Sequence, residues 1–100
     1  MNITIKNDSD KIEAMLCGRL DTAAAPQFSN DIAPLIAQAD KAIVLNCTDL
    51  EFISSSGLRL FLNLRKASMA KGGSVTIKGA SAEIKQVFAI TGFNSLFQFE

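Results

Sequence analysis

The sequence contains no histidine, tryptophan or tyrosine, and it has only two cysteines and two prolines in 100 residues. The missing histidine excludes the most. A Ser-His-Asp triad and a histidine general base are both ruled out. Two cysteines without histidine cannot close a four-ligand Cys/His zinc site, and no cofactor is expected. Cys17 and Cys47 form no CxxC pair. One disulfide is open to them, but the pattern is not that of a stapled secreted domain. Both fall in apolar, strand-like stretches, where a free thiol behaves as a small hydrophobe. Neither sign of charge is in excess, since ten Lys and Arg balance ten Asp and Glu. Electrostatics therefore gives no reason to expect nucleic acid or an anionic membrane as a partner. No apolar run approaches the ~20 residues needed to cross a bilayer, so no direct membrane insertion is expected. Met1–Lys6 lacks the basic-then-apolar layout of a signal peptide. The expectation is a protein of the reducing cytoplasm.

What is present is a core. Apolar residues make up 48% of the chain, enough for one domain and too many for disorder. Ile3 and Ile5 alternate with polar neighbours in a first strand, and Asn7–Asp10 is a turn cluster. Ile12, Ala14 and Leu16 give a second strand over Lys11–Gly18. The short connection suggests an antiparallel hairpin. Phe28, Ile32, Leu35, Ile36 and Ala39 recur at helical spacing, so Thr22–Ala39 reads as a helix. Pro26 suits its first turn, and Pro34 should kink it or end its first segment near Ala33. Lys41–Cys47 carries the run Ala42-Ile43-Val44-Leu45, typical of a strand buried on both faces. A loop over Thr48–Ile53 and a helix over Ser56–Ala70 follow, with a glycine cap in Lys71-Gly72-Gly73. Ser74–Lys78 is a strand, Ser81–Ile90 a helix capped by Ser81, and Leu96–Phe99 a short last strand. The order β-β-α-β-α-β-α-β implies an α/β class, with a small mixed sheet and helices packed on it.

The stretch Asp49–Leu58 follows the buried strand and opens a helix, where sites gather in open α/β sheets. Its three serines, Ser54, Ser55 and Ser56, admit two readings. Ser54 or Ser55 caps the helix, or one serine accepts a phosphate. A phosphate on a first helical turn meets free backbone N–H groups and the positive end of the dipole. Gly57 would keep the turn open to an approaching partner. A nucleophilic serine is excluded, because the G-x-S-x-G elbow and a histidine base are both missing. No phosphate-cradling glycine loop occurs either. In the following helix Arg59, Asn63 and Lys66 share a polar strip. The apolar arc is wider than one sheet contact needs. Either both of its flanks are buried, or Leu60 and Leu64 are partly exposed for a protein partner.

Gly18-Arg19-Leu20-Asp21 resembles the G-x-L-D that ends the second strand of STAS domains. The run from Asn46 to Leu50, followed by Phe52-Ile53-Ser54-Ser55-Ser56-Gly57-Leu58, resembles the family signature, usually D-S-S/T-G-L. Gly72–Ile77 and Ile90–Phe93 are similar to its later pattern. The resemblance covers nearly the whole chain and implies one STAS domain over residues 1–100. It implies an anti-sigma factor antagonist, a non-enzymatic partner switch. Such a protein binds an anti-sigma factor serine kinase until one serine is phosphorylated, and a PP2C-type phosphatase restores it. The acceptor position is Ser55, with Ser54 and Ser56 as rivals. Ser54 stands where the family has aspartate, and can cap but carries no charge. By resemblance, Asp21 lies near the serine and joins Ser54, Ser56, Gly57, Leu58, Leu60 and Leu64 in partner binding. Asp21 reads equally as a plain helix cap. The alternative function is a constitutive STAS subunit of a transporter or stressosome-like assembly.

Overall fold

A computed structural model describes all 100 residues. Strand β1 (Asn2–Asn7) pairs antiparallel with β2 (Lys11–Leu20), as the short turn requires. Two short helices follow, α1 (Ala25–Asp31) and α2 (Ala33–Ala37). Then come β3 (Ala42–Ile53), α3 (Ser55–Lys71), β4 (Ser74–Lys78), α4 (Ala82–Ile90) and β5 (Gln98–Phe99). The sheet order is β1-β2-β3-β4-β5, with β2 to β5 all parallel. Each parallel step moves to the next position in the same direction, so crossovers of one hand put every helix on one face.

The burial pattern agrees. Ile12, Ala14 and Leu16 of β2, Ile43, Leu45 and Cys47 of β3, and Val75 and Ile77 of β4 point to that face. They join Phe28, Ile32, Leu35, Leu58, Phe61, Leu64, Ile84 and Phe88 in one cluster of 21 buried residues. Phe61 stands at its centre, with ring centroids 5.9 Å from Phe28 and 6.0 Å from Phe88. The opposite face carries no helix and shows Lys11, Glu13, Asn46 and Lys78. Val44 is the exception there, 8% exposed among its sheet neighbours.

One expectation is met and two need correction. The helix read over Thr22–Ala39 is a bent pair, divided close to Pro34 as expected. The backbone path continues through Phe28→Ala24, Ile32→Phe28 and Ile36→Ile32 bonds, but Pro34 brings no N–H, and the helix divides at Ile32. Lys71 secures the end of α2 by donating from Nζ to the carbonyls of Ile36 and Ala37, at 3.1 and 3.2 Å.

The loop expected over Thr48–Ile53 is strand. Strand β3 runs on to Ile53 beside Cys17–Leu20, with two irregularities. Met15 pairs with Asn46 but Cys17 with Asp49, and Gly18 pairs with Leu50 but Arg19 with Phe52. Each time β3 spends one residue more than β2, which is a β-bulge. The inward residues of β3 therefore switch from a spacing of two to three, through Cys47, Leu50 and Ile53, all buried. The Asn46 carboxamide braces the first bulge, its Oδ1 accepting from the Thr48 N–H (3.1 Å) and hydroxyl (2.7 Å).

Cys17, expected to behave as a small hydrophobe, is exposed. Cys47 is fully buried, and both are free thiols. Burial pushes the Cys47 thiol up to about 12, so it is an inert core group.

Candidate functional site: the serine turn at the start of α3

The two bulges deliver the chain to Ile53 with that side chain in the core and the next residue free to leave the sheet. Ser54 takes extended backbone (φ −87°, ψ 169°) and is the N-cap of α3. Its Oγ accepts from the Gly57 N–H at 3.1 Å, and its carbonyl accepts from the Leu58 N–H at 2.9 Å. Its own N–H donates to the Leu20 carbonyl at 2.8 Å. Ser54 is thus engaged on every side and half-buried. The capping role left open between Ser54 and Ser55 belongs to Ser54.

Ser55 occupies the first helical position and is exposed, and its hydroxyl has no protein partner. Ser56 is half-buried. At the first two positions of a helix the backbone N–H groups have no intrahelical acceptor. The turn therefore presents free donors beside the Ser55 hydroxyl. Arg59, one turn further on, is exposed and lies on the same side of the helix.

Gly57 is buried rather than open. A Cβ there would sit 2.6 Å from Leu20 Cγ and 3.2 Å from the Leu20 carbonyl oxygen. The glycine lets the first turn of α3 rest on the end of β2, and it offers no surface to a partner. Leu58 and Leu64 are likewise core residues, each 1% exposed. The pair of exposed leucines proposed for a partner does not exist as such. Leu64 lies inward with Gly57, Leu58, Phe61 and Ser68, while Leu60 is half-buried at the margin.

Asp21 follows Leu20 directly and so lies beside Ser54 across the end of the sheet. Its Oδ1 accepts from the Ala24 N–H at 2.9 Å, and its carbonyl accepts from the Ala24 and Ala25 N–H groups. It closes the turn into α1 and remains half-buried. Between the starts of α1 and α3 runs a shallow groove of about 340 Å³, bordered by Thr22, Pro26, Ser29, Ser56, Arg59 and Leu60. The sheet, two chain turns and one groove thus gather Asp21, Ser54, Ser55, Ser56 and the margin of Leu60 at one end of the molecule.

Sequence reasoning passed over two features here. Arg59, placed only in a polar strip, borders the groove. Arg19 stacks over the Phe52 ring, with its guanidinium carbon 4.5 Å from the centroid. The second bulge turns Phe52 outward, to 37% exposure. The only trace of this in the sequence is the change of apolar spacing from two to three after Cys47.

Comparison with known proteins agrees with this architecture. The anti-sigma-B factor antagonist of Bacillus subtilis (strain 168) is 29% identical over 97 residues, covering 96% of this chain and 87% of the relative. That of Staphylococcus aureus (strain NCTC 8325 / PS 47) is 30% identical over 98 residues, covering 96% and 91%. The structure of the anti-sigma factor antagonist SpoIIAA in its unphosphorylated form superposes with a TM-score of 0.75 at 23% identity, over 99% of this chain and 87% of that one. The phosphorylated form of SpoIIAA, a Bacillus cell fate determinant, gives 0.74 at 24% identity, over 99% and 91%. The STAS domain profile matches residues 4–100, from the first strand through the serine turn to the last, and the chain belongs to the STAS domain family.

Proposed function

We propose that this protein is an anti-sigma factor antagonist whose binding to an anti-sigma serine kinase is switched off by phosphorylation of Ser55. The observation that carries this reading is the division of labour among the three serines. Ser54 is spent on the cap, whereas Ser55 is exposed with a free hydroxyl. A phosphate on Ser55 would meet unpaired N–H groups, the positive end of α3 and Arg59, so the fold should tolerate it. It would also place nearly two negative charges where a partner meets a neutral hydroxyl, which opposes binding. The partner surface would combine Ser55, Ser56, Asp21, Leu60 and the groove beside Arg59. The names of the Bacillus and Staphylococcus relatives support the same class of function. A PP2C-type phosphatase would reset the switch. No helix is long and apolar enough to cross a membrane, and we place the protein in the cytoplasm.

The test is a pair of baits, Ser55→Ala and Ser55→Glu, used to recover partners from the native cell, with mass spectrometry to locate phosphate on the wild-type chain. Ser55→Ala should retain a kinase-like partner. Ser55→Glu should lose it by roughly tenfold or more, about 1.4 kcal/mol. Equal recovery by both baits would reject the switch and favour a constitutive subunit of a larger assembly.

A further inference from the structure

At the other end of α3 a second cleft lies between the last helical turns, the start of β4 and the approach to β5. It encloses about 180 Å³, and its walls include Arg65, Ser68, Met69, Ser74, Leu96 and Gln98. Ser68 lies thirteen helical steps beyond Ser55, roughly 20 Å at 1.5 Å per residue. The cleft is therefore remote from the serine turn.

Its polar chemistry is one-sided. Arg65 is the only charged residue in the lining, and no carboxylate faces it. The Arg65 Nε donates to the Leu96 carbonyl, which leaves the terminal nitrogens of the guanidinium without a protein acceptor. Guanidinium offers donors only, and the hydroxyls of Ser68 and Ser74 and the Gln98 amide can donate as well. Met69, Val75 and Leu96 supply apolar wall. Met69 is 63% exposed, so the wall it forms is free to move.

Ser68 supplies the second, independent observation. It is 1% exposed, and its Oγ is the one buried side-chain polar atom with no hydrogen-bond partner. It does not turn back to the Leu64 carbonyl, the usual recourse of a mid-helix serine. A buried hydroxyl left unpaired is costly, and one in a native protein calls for an explanation.

We infer that this cleft is a binding site for a small carboxylate with a short apolar chain. Arg65 would take the carboxylate through its free terminal nitrogens. Rotation of Met69 would open the floor to the Ser68 hydroxyl, which would donate to the second carboxylate oxygen. The apolar chain would lie along Val75 and Leu96. Phosphate fits less well, because the apolar walls would face an ion with no apolar part.

The experiment is an amide NMR titration of the whole chain with hexanoate, with hexanamide and inorganic phosphate in parallel. Hexanoate should shift the amides of Arg65, Ser68, Met69 and Ser74 at millimolar concentration. Hexanamide and phosphate should bind at least roughly tenfold more weakly, as loss of the charge-assisted pair or of the apolar contact predicts. Arg65→Met should weaken hexanoate by a similar factor. If it does not fold, Arg65→Lys keeps the charge, loses the fork and should still bind more weakly than wild type. Ser68→Ala should fold at least as well as wild type, since it removes an unpaired hydroxyl, yet bind hexanoate several-fold more weakly. Three outcomes overturn the inference: no shift at the cleft amides, equal affinity for hexanoate and hexanamide, or unchanged hexanoate affinity in Ser68→Ala.

Discussion

The two ends of α3 use the same residue types for opposite purposes. At the start, three serines sit where the chain leaves the sheet, and their hydroxyls are capped, solvated or half-buried. At the far end a single serine, Ser68, lies inward and unpaired. Glycines differ in the same way. Gly57 and Gly73 are there for space, since a Cβ would meet Leu20 in one case and the Ala39 and Lys41 carbonyls in the other. Gly72, adjacent to Gly73, takes φ +78° with nothing within 4 Å of a Cβ. It serves the left-handed cap that ends the helix. A solvated position and a packed one thus stand at opposite ends of one helix. A charge added at Ser55 goes into water and toward free N–H groups, whereas a Cβ added at Gly73 would meet packed backbone.

The sharpest way to break this distinction is at the glycine pair. Gly73→Ala would put a Cβ 2.0 Å from the Ala39 oxygen and 2.6 Å from that of Lys41. Both are backbone atoms, so the β4 entrance must shift. We expect a loss of about 3 kcal/mol or more in urea unfolding, the upper range for overpacking. Gly72→Ala meets no atom and should cost only the left-handed conformation, about 1–2 kcal/mol. Equal losses at the two positions would show that space and conformation are not separable here.

Gly57→Ala comes next. The contact is with the Leu20 side chain at 2.6 Å, and a side chain can yield where a carbonyl cannot. A loss of about 1–2 kcal/mol is expected. Leu20→Ala removes the obstructing Cγ, so the double variant should lose less stability than the sum of the singles, by about 0.5 kcal/mol or more. Simple additivity would mean that Gly57 serves something other than its seat on β2.

Much of this architecture was legible in the sequence. Alternation in Ile12, Ala14 and Leu16 and helical spacing around Phe61 gave the class and the element order, because both periods follow from burial of one face. The stop at Gly72 and the cap at Ser81 were read correctly for the same local reason, since each satisfies orphan backbone groups. The outline of the serine turn was also visible, although its partner-binding role rests on resemblance. The bulges were not legible. They depend on Asn46 bracing Thr48 and on the register against β2, and neither has a local period. The burial of Gly57 was missed and that of Leu64 stayed one of two readings, because the helix is apolar over a wide arc. Only the packed structure decides which part of that arc faces the sheet.

At the serine turn itself the expected effects are smaller, and they separate two neighbours. Ser54→Ala removes the acceptor for the Gly57 N–H and should cost about 1 kcal/mol. Ser55→Ala removes an exposed hydroxyl with no protein partner and should stay within about 0.5 kcal/mol of wild type. Chemical denaturation of both variants checks the pair. Ser54→Asp should restore the cap and gain slightly from the helix dipole. If Ser55→Ala were the costlier change, the cap would have been assigned to the wrong serine.

The smallest expected effect lies on the helix-free face of the sheet. The Asn46 amide donates to Glu13 Oε2 at 3.0 Å. That hydrogen bond, helped by Lys78, Lys11 and Lys6 against the opposing effect of burial, holds the Glu13 carboxyl below its ordinary 4.5. A carboxyl held lower in the folded state than in the unfolded one contributes stability that is present above the ordinary value. The contribution is lost as pH falls through the lowered one. Stability measured from pH 5 downward should therefore decline in part through Glu13, by less than the Ser54→Ala effect because the group is partly solvated. Glu13→Gln keeps an acceptor for Asn46 and removes the titration, so its decline should be shallower than that of wild type. Asn46→Ala should be worse at every pH, because the same carboxamide also braces Thr48 in the first bulge. If Glu13→Gln and wild type declined in parallel, the Glu13–Asn46 pair would hold the sheet without responding to pH. Acid sensitivity would then have to come from elsewhere.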